Sequence, residues 1–141
     1  MSDWISGETT THQDHVIAHV VGATVQAYLV WDETAFLLLD IGFIWNIYLD
    51  GEMGLVPKPM AINELTIDEA AKSELRVEAD EVLQGNTSSL KRLTASPVAS
   101  PIQSTEFYVH ENSRRLVMTC EDGQLVVETS LETAEVSIYG T

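Results

Sequence analysis

His12, His15 and His19 crowd the N-terminal part of the chain, and imidazoles gathered this way are the usual start of a metal site. The residues between them limit that reading. Val16, Ile17, Val20 and Val21 bring β-branched side chains that suit a strand better than a helix. On a strand, His15 and His19 would stand roughly 13 Å apart, too far to share one ion. A helix would instead bring the three histidines to one face, but the valines argue against it, and no metal site is expected.

A second pairing to weigh is Cys120 with His110, as nucleophile and base. If a hairpin closes at 112–114, His110 falls opposite about Leu116, which leaves Cys120 roughly 13 Å further along. No catalytic residue is expected there, and the thiol reads as a buried structural group. Because Cys120 is the single cysteine, no disulfide can form within the chain.

Asp40 is more suggestive, since it lies among Leu37, Leu38, Leu39 and Ile41. A carboxylate in such company needs a partner or an elevated pKa, and perturbed carboxylates concentrate at sites. Strand alternation puts it on one face with Asn46 and Tyr48. Together with His19 and Trp45 these residues form the candidate ligand-binding set: Asp40, His19, Tyr48, Trp45 and Asn46, in a pocket between sheet and helix. The competing reading is a solvated sheet face. The chain has no Gly-rich phosphate loop, no paired zinc cysteines and no Gly-x-Ser-x-Gly elbow, so no cofactor is expected.

The elements that must position these residues follow from hydrophobic period. Over 16–31 and again over 35–49, apolar residues alternate at period two, so the two stretches read as a long antiparallel hairpin turning at 32–34. Gly22 and Gly42 are expected to be bends or bulges within it. Pro57 and Pro59 then interrupt regular structure. Thr66 and Glu69 have capping-box spacing ahead of Ile67, Ala71, Leu75, Ala79 and Val82, which predicts a helix from about 67 to 84. Its row Asp68, Lys72, Arg76, Asp80 and its flank Glu74, Glu78, Glu81 read as solvated. Residues 85–105, rich in Ser, Thr and Pro, read as a long loop, and four further strands are expected at 106–111, 115–121, 124–130 and 134–139. The predicted fold is α+β. It is mainly one antiparallel sheet of about six strands, in the order β-β-turn-α-loop-β-β-β-β, with one main helix packed on one face. One domain, 1–141, is expected, with an irregular segment over 1–13.

Composition narrows the function classes. Apolar residues make up 45% and charged residues 21%, a globular mixture and not a disordered acidic tail. The formal charge of −15 comes from 22 Asp and Glu against 7 Lys and Arg, and no Lys or Arg precedes Lys58. Such a surface repels nucleic acid and anionic membranes and attracts a basic protein partner. The start of the chain lacks the basic and apolar runs of a secretory signal, and 35–49 is too short and too polar to cross about 30 Å of hydrocarbon, so a cytoplasmic location is expected. The same stretch is apolar on both faces, which leads to the expectation of a homodimer. Function is expected to be non-enzymatic: a protein-interaction or regulatory domain of the inhibitor or immunity type. The alternative is a small-molecule-binding domain or small enzyme using the Asp40 pocket.

Overall fold

The computed structural model describes residues 4–50, 52–86 and 90–141. The fold is α+β, with two antiparallel sheets where one was expected. Sheet A comprises β1 (Ile5–Ser6), β7 (Ile102–His110), β8 (Ser113–Cys120), β9 (Gly123–Ser130) and β10 (Glu135–Gly140), paired in the order β1-β7-β8-β9-β10. Sheet B comprises β5 (Met53–Pro57), β4 (Phe43–Tyr48), β3 (Thr34–Leu39), β2 (Val25–Trp31) and β6 (Thr94–Ala95), in that spatial order. Three helices, α1 (Thr11–Val20), α2 (Lys58–Asn63) and α3 (Glu69–Leu83), complete the described elements.

Alternating apolar faces build two cores. Ala35, Leu37, Leu39, Trp45 and Ile47 point from sheet B toward Leu116, Met118, Cys120, Leu125 and Val127 of sheet A. Leu38 and Ile44 point the other way and pack with Ala61, Ile62, Leu75, Ala79 and Val82 of α2 and α3. The layers are therefore sheet, sheet, helices. Most of both apolar faces of 35–49 is covered within one chain, by sheet A on one side and by α2 and α3 on the other. That stretch is also two strands: Asp40, Ile41 and Gly42 turn the chain between β3 and β4, and Gly42 takes a positive φ of 84° that suits a residue without Cβ.

The largest departure from expectation is α1, placed where a strand was predicted. Thr10 caps it, accepting from the Gln13 N–H at 3.1 Å while Gln13 Oε1 accepts from the Thr10 N–H at 2.8 Å. This reciprocal capping box satisfies helix-start donors that β-branched residues alone would not. Gln13, Val16 and Val20 form its buried stripe, and Val16 and Val20 close one end of the inter-sheet core.

In β2 a bulge between Val25 and Ala27 interrupts the alternation, so Val25 joins the inter-sheet core and Ala27 the helix-side core. The predicted uniform odd face of 16–31 is corrected on both counts. α3 begins at Glu69 with Asp68 as N-cap, its carboxylate accepting the Ala71 N–H at 2.7 Å, in place of the predicted Thr66 box.

Two further expectations about α3 change. Its row of charges is a docking surface. Lys58 Nζ reaches Asp80 at 3.1 Å, Lys72 Nζ reaches the Asn63 carbonyl at 2.9 Å, and Arg76 bonds the Asn63 side chain. Glu78, expected to be solvated, is 6% exposed and accepts the backbone N–H groups of Lys91, Arg92 and Leu93 at 2.8, 3.0 and 3.1 Å. Residues 91–93 are thus tied to α3, and Leu93 and Val98 are buried. Positions 87–89, within the predicted loop, lie outside the described residues. No helix among the described residues is long and apolar enough to cross a membrane.

Candidate functional site

The five candidate ligand residues are not brought to one place. Asp40 sits exposed in the β3–β4 turn, where its Oδ1 accepts the Thr24 N–H and its own N–H donates to the Thr24 carbonyl, both at 3.0 Å. It is a turn clamp. Trp45 is fully buried between the sheets, and its Nε1 has no hydrogen-bond partner. His19 lies exposed on α1, its Nδ1 3.0 Å from the His15 carbonyl. His12, His15 and His19 do share a face, beside Phe43 and Leu55, but His12 Nε2 already contacts the Met53 carbonyl at 3.1 Å. Among the described residues no group of three or more His, Cys, Asp or Glu is placed to hold a metal ion.

His110 pairs with Ser113, not Leu116, while Cys120 pairs with Gly123 and Ile102, so the two occupy opposite ends of the β7–β8 ladder. Burial, then the neighbouring Asp122 carboxylate, push the Cys120 thiol above its usual pKa, the reverse of what a nucleophile needs.

The expected space between helix and sheet is filled. Leu29, Phe36, Leu38, Ile44, Ile62 and Leu75 leave a cavity of about 10 Å³, room for one water at most, with no polar group to hold it.

Asn46 and Tyr48, however, do meet in a groove, at the uncovered end of the helix-facing side of sheet B. The register builds it. Trp31, Thr34 and Tyr48 form one cross-strand row, and Phe36 and Asn46 form the next, with Gly54 opposite Asn46 on β5. α2 and α3 cover the rows beyond. Glu64, Leu65 and Thr66, which follow α2, form the facing wall of a groove of about 160 Å³. The cations that fix α2 to α3 thereby fix this wall.

Trp31 and Tyr48 are 38% and 42% exposed at the groove mouth, whereas Asn46 is 4% exposed at its base and its Oδ1 has no hydrogen-bond partner. A Cβ placed on Gly54 would meet nothing within 4 Å, so no side chain packs over Asn46 from that strand.

Beside the groove, sharing Asp32, Thr34 and Tyr48 with it, is an open basin of about 350 Å³ that also takes in Glu33, Asp50, Glu52 and Leu131. Asp32 and Glu33 form the two-residue β2–β3 turn at φ 47° and 62°, left-handed values that usually select Asn or Gly. Two carboxylates are thus presented side by side on a tight turn. No Lys or Arg lines the groove or the basin among the described residues. The ion pairs lie elsewhere: Lys58 with Asp80, Lys72 with Glu69, Arg92 with Glu74 and Arg115 with Glu128.

Alternation alone put Asn46 and Tyr48 on one face. Trp31, Asp32, Glu33, Glu52 and Glu64 were missed because their convergence depends on hairpin register and on the position of α2. Comparison with protein-family models, with curated proteins and with solved structures finds no match.

Proposed function

We propose that this chain is a non-enzymatic binding domain that docks a basic partner protein on the acidic end of sheet B, in the manner of an inhibitor or other regulatory partner. The observation that carries the reading is the convergence of Asp32, Glu33, Asp50 and Glu52 on one open basin with no basic residue in its lining. Carboxylates so close together repel one another, and an incoming cation relieves that repulsion while replacing diffuse counterions. The aromatic faces of Trp31 and Tyr48 add contact area of the kind that anchors protein interfaces. The adjoining unpartnered Asn46 distinguishes the place from a merely acidic surface.

The experiment is a titration of oligolysine against the wild-type chain and against Asp32→Asn/Glu33→Gln, which keeps the turn and removes two charges. Glu111→Gln/Glu121→Gln, on exposed turns of sheet A, serves as a charge-matched control. Binding should fall by roughly tenfold in the first variant and change little in the control, and it should weaken with salt. Equal effects of the two variants would mean that only net charge matters, and the basin would lose its role.

A further inference from the structure

We propose that the groove floored by Asn46 is a socket for one arginine side chain of the basic partner. The inference rests on the docking reading and names which cation the site selects.

The volume of about 160 Å³ has room for a guanidinium head and part of its stem. Its charged lining is carboxylate only, Asp32 at one side and Glu64 at the other. Trp31, Phe36 and Tyr48 supply aromatic surface, and a cation over such faces is attracted by the ring quadrupole.

Asn46 carries the choice between cations. Its Oδ1 is a buried acceptor with no donor, set in a row whose other side chains are Phe36 and Leu29, with Gly54, which has no side chain, opposite Asn46. A guanidinium carries donors on both edges of a flat fork, so it can serve the amide oxygen and a carboxylate at once while its plane lies against an aromatic ring. A lysine ammonium concentrates three donors at a point and keeps its water more tightly, which suits the wet basin better than the groove.

The chain already holds one of its own guanidinium groups in this way. Arg115 lies 4.1 Å over the Trp4 ring and donates to Glu128 at 3.0 Å, while Tyr139 donates to the same carboxylate at 3.1 Å. The groove offers the same three components, Trp, carboxylate and Tyr, without the arginine.

Octa-arginine, octa-lysine and octa-citrulline peptides, titrated calorimetrically at low salt, separate the possibilities. The proteins are wild type, Asn46→Leu and Gly54→Val, with folding checked by amide spectra. Gly54→Val adds bulk beside Asn46 at a position of ordinary φ where space is open, so it remains informative if Asn46→Leu misfolds. The expected result is an arginine-over-lysine preference of about tenfold in wild type, falling to about one in each variant while octa-lysine binding is unchanged, with citrulline not bound. The Asn46 side-chain amide resonance should move with arginine and not with lysine.

Equal binding of arginine and lysine peptides by wild type would overturn the socket and leave the docking basin standing. So would a preference that survives in both variants, or citrulline bound as tightly as arginine. If neither cationic peptide binds wild type, the docking reading itself fails.

Discussion

At the scale of single residues, Asn46 and Cys120 show opposite uses of burial. Asn46 holds an unsatisfied acceptor in an otherwise apolar face, an arrangement that costs about 1–3 kcal/mol relative to an apolar group of the same shape. Asn46→Leu is therefore expected to raise unfolding stability by about 1 kcal/mol in urea titration, even as it removes the arginine preference. A stability loss would show that the amide is structural.

Cys120 is buried with its thiol neutral, and its pKa is raised from the ordinary 9.0 by desolvation and by Asp122. In the unfolded chain the thiol ionises near 9.0, whereas in the folded chain it ionises higher. The native state then holds the extra proton, so this contribution to stability is present below pH 9 and declines as pH rises from 9.0 toward the folded value. Cys120→Ala should flatten that part of the stability–pH curve, and native Cys120 should alkylate far more slowly at pH 8 than in denaturant. Of the residue-scale features, the buried thiol was readable from its apolar strand. The Asp40 clamp was not: Gly42 marked a bend, but the partner of Asp40 is the Thr24 backbone, 16 residues away, which only the folded chain brings near.

At the scale of elements, Glu78 decides whether residues 90–95 stay on the fold. Its buried carboxylate accepts three backbone N–H groups, from Lys91, Arg92 and Leu93, which position β6 against the free edge of β2. Glu78→Ala is expected to cost about 3 kcal/mol and to abolish hydrogen-exchange protection of those amides, while Glu78→Gln, which keeps one acceptor, loses about half as much. Unchanged exchange at Lys91–Leu93 in the alanine variant would refute the anchoring role.

Sequence period marked 35–49 as strand, though as one strand where β3 and β4 are two, and it found the four strands β7 to β10, because both sheets are built from alternating side chains. It failed at α1, where Thr10 and Gln13 cap a helix whose valines suit strands, and at β2, where the bulge between Val25 and Ala27 changes the face. It also failed for α3's charges, since only the docked α2 shows that Asp80 takes Lys58 and that Lys72 and Arg76 take Asn63. Of the groove, only Asn46 and Tyr48 were legible, and its other wall depends on those tertiary contacts.

At the scale of the whole molecule, charge acts on folding and on binding with opposite signs. The chain carries −15 overall, and the four ion pairs found among the described residues lie on α3 and sheet A, away from the basin acids. Compactness brings the unpaired carboxylates together, so self-repulsion opposes folding, while part-exposed ion pairs give little back. Raising sodium chloride from about 0.01 M to about 1 M shortens the screening length from roughly 30 Å to roughly 3 Å. The repulsion is then screened more than the few attractive pairs lose, and stability should rise by about 1 kcal/mol, a melting increase of roughly 3–5 °C. The same change should weaken oligolysine binding at the basin by well over tenfold, because there the attraction is between exposed opposite charges. Neutralising Asp32 and Glu33 should shrink both responses together, whereas Glu111→Gln/Glu121→Gln should reduce the folding response and leave the binding response in place. Calorimetric melting and peptide titration of both variants across the salt series test this directly. A folding response absent in wild type would mean that the acids are spread too far apart to repel, and the basin's concentration of charge would no longer account for cation binding.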